Sequence, residues 1–156
     1  MRAKARIPTL IRSLDQIKQT KKMTTKDKNM TNYIDGFVLP IPRIHLEEYK
    51  KVAEQVAEIW KEYGAIAYYE FVGDDLHLEG TKSFIETVDA KEDEEIVFGW
   101  VVFPSKEIRD LANKKVPTDP RMIELVAPLT NPNKLIFDGS RMVYGGFKPL
   151  VKSKVD

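Results

Sequence analysis

The stretch RIHLEEYKKVAEQVAEIWKEYG sets the first element. Leu46, Tyr49, Val52, Ala53, Val56, Ile59, Trp60 and Tyr63 recur three and four residues apart, while Glu47, Lys51, Glu54, Glu58 and Lys61 take the other side. This predicts an amphipathic helix, closed at Gly64 by a left-handed cap. Other stretches carry strand patterns. Tyr33 to Leu39 is a β-branched and aromatic run stopped by Pro40 and Pro42, AIAYYEFVG spans 65–73, and EIVFGWVVF spans 95–103. Ser105 caps a second helix, SKEIRDLANKKV, and Asp119 with Pro120 opens a short third one, PRMIELV. VGDDLHLEGTKSF reads as a polar, acidic connection, SFIETVDA as a short strand or irregular edge piece, and AKEDEE as a charged turn. PLTNPNK is a loop, FDGSR a turn, and MVYGGFKPLV the last strand. The order is strand, helix, strand, strand, helix, strand. That is an α+β, ferredoxin-like split βαβ plan: an antiparallel sheet with helices on one face.

The strands do not alternate as a sheet with one wet face should. EIVFGWVVF has eight uncharged residues in a row, AIAYYEFV carries only Glu70, and MVYGGF carries no charge. Both faces therefore need cover. An identical subunit is the simplest source, since monomers seldom keep a large apolar patch exposed. The expectation is a homodimer, sheet against sheet. Charging the outer face at Val101 or Trp100 is expected to give monomer or aggregate.

Charge divides the chain of 156 residues in two. Residues 1–29 hold nine Lys or Arg against two Asp, a charge of +7, and residues 30–156 hold sixteen against twenty-two acidic residues, a charge of −6. The basic leader MRAKARIPTLIRSLDQIKQTKKMTTKDKN lacks the continuous apolar core of a secretory signal. A disordered leader, or a translation start placed upstream of a true start at Met30, is the simplest reading. A basic arm for nucleic acid or an anionic surface and an organelle transit peptide are the other two. Residues 30–156 are expected to form one domain. There is no cysteine, which excludes disulfides, thiolate zinc sites and cysteine nucleophiles, and fits a reducing, cytoplasmic setting. No apolar run approaches the roughly 20 residues needed to span a membrane.

Candidate chemistry is sparse. His77 sits in Asp74-Asp75-Leu76-His77-Leu78-Glu79, where carboxylates and an imidazole at alternate positions suit a divalent metal or proton transfer. A solvated loop is the simpler reading, since no second histidine is near. Neither a metal nor a cofactor is expected. Asp35 and Arg141 fall on strands that neighbour each other in this plan, and charges in such apolar strands are expected to be paired. A structural salt bridge is the first reading, an anion- or carbonyl-binding role the second. Glu70 is a carboxylate in an apolar strand, where burial raises the pKa and makes an acid or base, or where a Lys or Arg pairs it. Tyr33, Tyr68, Tyr69, Trp100 and Tyr144 are ordinary core, or line an apolar pocket with hydrogen-bonding handles.

Five segments, YIDGFVLPIP, YYEFVGDD, VFGWVVFPS, DPRM and FDGSRMVYGGF, together resemble the YbaA-like family of small bacterial proteins in the dimeric α/β-barrel superfamily. The resemblance runs from about Met30 to about Leu150. It implies the same ferredoxin-like homodimer, and no agreed activity or catalytic residues. DDLHLEGTKSF and VAPLTNPNK depart from the pattern, so a ligand entrance there would be peculiar to this chain. Three functions stand. The first is a homodimer that binds a small apolar or aromatic molecule between sheet and helices. The second is an enzyme similar to cofactor-independent monooxygenases, using Asn113, Trp100, His77 and Tyr144. The third is an RNA-binding protein using the open sheet face and the basic leader, disfavoured by the charge of −6 on residues 30–156.

Overall fold

The computed structural model describes residues 32–153, so the leader expectation lies outside the described residues. Four strands, β1 (Tyr33–Pro42), β2 (Ala67–Val72), β3 (Glu94–Phe103) and β4 (Val143–Phe147), form one antiparallel sheet in the order β2-β3-β1-β4. That strand order and the two crossovers make the fold ferredoxin-like. The helices are α1 (Leu46–Glu62), α2 (Phe84–Thr87), α3 (Lys106–Lys115) and α4 (Pro120–Val126), with short 3-10 turns between them.

Local chemistry sets the ends of these elements. Helix α1 has Glu47 and Glu48 in its first turn and Lys61 in its last, matching the helix dipole. It closes in a Schellman motif. Gly64 takes φ 111°, its N–H bonds Lys61 O, and the Ala65 N–H bonds Trp60 O at 3.1 Å. Ser105 Oγ accepts the Ile108 N–H to start α3, and the Asp119 carboxylate accepts the Arg121 N–H to start α4 behind Pro120.

Two elements differ from expectation. SFIETVDA holds a helix, α2, rather than a strand, because Ser83 Oγ accepts the Ile85 N–H and turns the chain. Strand β1 runs on through Pro40 and Pro42. Its pairing with β4 ends at Val38, so the missing proline N–H groups fall where β1 has only β3 beside it.

Alternation sorts the side chains. Phe37, Leu39, Ile41, Val97, Val101 and Phe103 face the helices and join Tyr49 of α1 and Ala112 of α3 in the main core. The intervening residues face the other way. There α2 and its flanking loop bury Val38, Val88 and Ile96, with Leu76 and Ile85 packed against them. The helices are therefore not confined to one face, because this small helix caps a corner of the outer one. The rest of that face is open. Trp100 stacks on Phe71 at 5.4 Å and 14°, with Tyr69 and Phe98 also against it. Phe71, Phe98, Val143 and Phe147 are each more than two-fifths exposed. Val101, at 4% exposure, belongs to the helix side, so only Trp100 tests the outer face.

Candidate functional site

A cavity of about 200 Å³ lies between the sheet and the helices. Phe37, Leu39 and Val101 form its floor, Val52, Ala53 and Val56 of α1 one wall, and Met122, Val126 and Leu129 the opposite side. Among the described residues Glu70 of β2 is the one charged residue lining it. Its neighbours across the sheet explain the room. Gly99 pairs with Glu70, and Phe37 pairs with Gly99, so the row Glu70–Gly99–Phe37–Tyr144 crosses all four strands. The missing side chain at Gly99 lets the Phe37 ring lie over it: a Cβ there would stand 2.5 Å from Phe37 Cζ.

Two tyrosines hold Glu70. The Tyr68 hydroxyl donates to Glu70 Oε1 at 2.6 Å, and the Tyr49 hydroxyl of α1 also hydrogen-bonds the carboxylate. Residues 68 and 70 share a face because strand side chains repeat every second position. Burial pushes the Glu70 carboxyl above its ordinary value, and the two phenols only partly oppose that. Burial, then the Glu70 charge, pushes both phenols well above the usual tyrosine range, so they remain proton donors. The site offers an acid–base carboxyl of raised pKa, two fixed donors and apolar walls. It can bind a small molecule by its apolar body and hold or move one proton at Glu70.

The other sequence-predicted residues divide. Tyr144 lines the far end of the same cavity. Its hydroxyl is pushed above the tyrosine range, first by burial and next by interaction with Asp35. Asp35 is 1% exposed and accepts from Arg109 Nε at 2.7 Å and Asn113 Nδ2 at 3.0 Å. Arg109 also lies over the Tyr33 ring at 5.3 Å. The expected partnership of Asp35 with Arg141 is therefore absent. Arg141 sits in a 3-10 turn before β4, and its guanidinium makes a two-pronged pair with Glu94, both bonds 2.7 Å, plus a bond to Asp138 at 3.0 Å. The Arg141 hydrogen bonds hold the Glu94 carboxyl below the usual range. Both pairs close structural networks. Trp100 is on the outer face, and His77 lies in the exposed loop between β2 and α2. Asn113, Trp100, His77 and Tyr144 thus do not meet; only Asn113 and Tyr144 share a neighbour, Asp35. Among the described residues no group of His, Asp or Glu is arranged to hold a metal.

Arg109, Glu94 and Tyr49 escaped the sequence reading as site partners. Arg109 and Glu94 sit among many surface charges, and nothing local marks them. Tyr49 is one of eight positions in the apolar stripe, and Tyr63 in the same stripe has the same polar tip, so nothing local marks it either.

A second hollow, about 350 Å³, opens on the outer face beside the aromatic stack. Gly36 and Gly145, paired across β1 and β4, form its base, with Ile34, Val38, Phe98, Trp100, Val143 and Phe147 around it.

The chain is 40% identical over 119 residues to "Uncharacterized protein YbaA" of Escherichia coli strain K12, covering 76% of this chain and 97% of that one. The protein of that name from Shigella flexneri matches at the same identity and coverage. Among solved structures, a nipsnap family protein with unknown function from Agrobacterium tumefaciens aligns with a TM-score of 0.49 and 16% identity, over 80% of this chain and 94% of that one. The family model described as "Protein of unknown function (DUF1428)" matches residues 32–139, which carry β1 to β3, all four helices and Glu70 with both its tyrosines. The chain belongs to the DUF1428 family.

Proposed function

We propose that this protein is a homodimer that binds a small apolar or aromatic molecule in the cavity between sheet and helices. The observation that carries the binding reading is Glu70: a carboxyl held by two tyrosines at the wall of an otherwise apolar cavity. Such a group costs stability, because burial disfavours its charged form. Ordinary core packing gives no reason to keep it. A cavity of about 150 Å³ is enough to admit benzene, so 200 Å³ accommodates one ring with a short substituent. Ala53→Phe tests the reading by filling the cavity from α1. Uptake of ring-sized ligands, followed by thermal shift of the full chain, should be lost while the fold remains. Retained uptake would sink the reading.

The homodimer rests on the outer face. An interface with twofold symmetry must be complementary to itself. This face offers an aromatic ridge, Tyr69, Phe71 and Trp100, beside a hollow based on Gly36 and Gly145. A second copy turned by half a rotation can set its ridge against the first copy's hollow. Nucleic acid suits the face less well. Its affinity depends on phosphate contacts, and the strand residues on this face include no Lys or Arg.

A further inference from the structure

We infer that the cavity's ligand is a small organic cation, an apolar or aromatic body ending in a protonated amine whose ammonium hydrogen-bonds Glu70. This rests on the binding reading above and narrows its chemistry.

Three features of the lining carry it. Among the described residues Glu70 is the one charged group there, and none of their Lys, Arg or His side chains lines the cavity to receive an anion. Six aromatic rings, those of Phe37, Tyr49, Trp60, Tyr68, Phe137 and Tyr144, line it with Glu70. Ring faces attract cations, and cages of this composition recognise ammonium groups. The hydrogen-bond supply also points the same way. Tyr68 occupies Oε1 at 2.6 Å and Tyr49 donates as well, but an ionised carboxylate offers about four acceptor positions. What the site lacks is a further donor, and an ammonium brings three. A carboxylate or phosphate ligand would instead set its charge against that of Glu70.

The proton balance follows. The titratable groups facing Glu70 are Tyr49 from α1 and Tyr68 on its own strand, both held as neutral phenols. Among the described residues Tyr144 from β4 is the remaining titratable group lining the cavity. Where the Glu70 carboxyl is protonated before binding, the ammonium displaces that proton to solvent, and no other group changes charge. Amine affinity therefore rises with pH through the Glu70 titration, then falls once the amine itself loses its proton.

The test is calorimetric titration of the full chain with benzylamine, benzyl alcohol, benzoate and toluene, repeated on Glu70→Gln and Tyr49→Phe. Benzylamine should bind most tightly, and Glu70→Gln should weaken it by at least about tenfold, the loss of one hydrogen bond to a charged group. Titration in buffers of different ionisation enthalpy should show proton release that disappears in Glu70→Gln. Tyr49→Phe frees an acceptor position on Glu70 and should leave the amine preference in place. Equal or tighter binding of benzyl alcohol or toluene, or benzylamine affinity unchanged by Glu70→Gln, would overturn the cation while leaving the cavity reading intact. Preference for benzoate would do the same. Uptake of none of the four would overturn both.

Discussion

Gly99→Ala is a small change with a large expected effect. The new methyl group would stand 2.5 Å from Phe37 Cζ and 2.6 Å from the Tyr69 carbonyl oxygen, where carbon contacts ordinarily lie at about 3.5–4.0 Å. The two clashes differ in kind. Phe37 lines the cavity, so its ring has space to move into. The Tyr69 carbonyl is backbone of β2, and moving it strains the pairing of Glu70 with Gly99 and of Tyr69 with Trp100. Overpacking of this sort costs about 1–3 kcal/mol. Replacing glycine within a strand returns roughly 0.5–1 kcal/mol through the unfolded chain. The net loss should be about 0.5–2 kcal/mol, read as a lower urea midpoint with unchanged slope. A displaced Phe37 ring also shrinks the cavity, so benzylamine uptake should fall with stability. A midpoint equal to or above that of the parent would refute the packing of Phe37 over Gly99, and with it the account of how the cavity is floored.

Glu70→Gln should stabilise the fold, and increasingly so as pH rises. A carboxyl whose folded pKa is raised gives up stability as pH climbs from its unfolded value through its folded one. Thermal midpoints that differ equally at acid and neutral pH would contradict this. Asp35→Ala strips the partner from Arg109 and Asn113 in a nearly closed site, and should cost about 3 kcal/mol in urea unfolding, the low end for a broken buried pair because Arg109 keeps some solvent. A loss below about 1 kcal/mol would mean that water already serves those groups. Asp119→Ala should lower the thermal midpoint at neutral pH and lose that effect in acid. The Arg121 hydrogen bonds hold the Asp119 carboxyl well below its usual range, so its contribution disappears as pH falls through the folded pKa. A deficit that persists unchanged in acid would assign the effect to something other than the charged cap. Trp100→Lys should convert dimer to monomer or aggregate by light scattering, and an unchanged mass would exclude the outer face as the interface.

How far the sequence reached depends on the range of the interaction involved. Helix α1, the Ser105 and Asp119 caps and the stop at Gly64 rest on contacts within a few residues, so spacing alone exposes them. The short helix α2 was readable too. Ser83 stands three residues before Glu86, the signature of a capping box, but the aromatic and β-branched Phe84, Ile85 and Val88 suggested a strand. Face assignment in β3 was not readable. With both Trp100 and Val101 apolar in an unbroken run, only the register with β1 and β2 shows that Val101 faces the helices. Pairing was harder still. Asp35 finds Arg109, 74 positions away, and Arg141 finds Glu94, 47 away, choices that depend on how α3 and the turn before β4 lie on the sheet. Glu70 stood out because one charge in an apolar strand needs an explanation. Its partners are the phenols of Tyr68 and Tyr49 rather than a Lys or Arg, a choice that depends on how α1 lies on the sheet.

The most direct test of the central claim is native mass spectrometry of the full chain, purified gently from its own host, beside Ala53→Phe. The account predicts a dimer in both, with a small added mass per protomer in the parent that is missing from Ala53→Phe. A monomeric parent would contradict the role given to the outer face. An added mass retained by Ala53→Phe would contradict the cavity as its site.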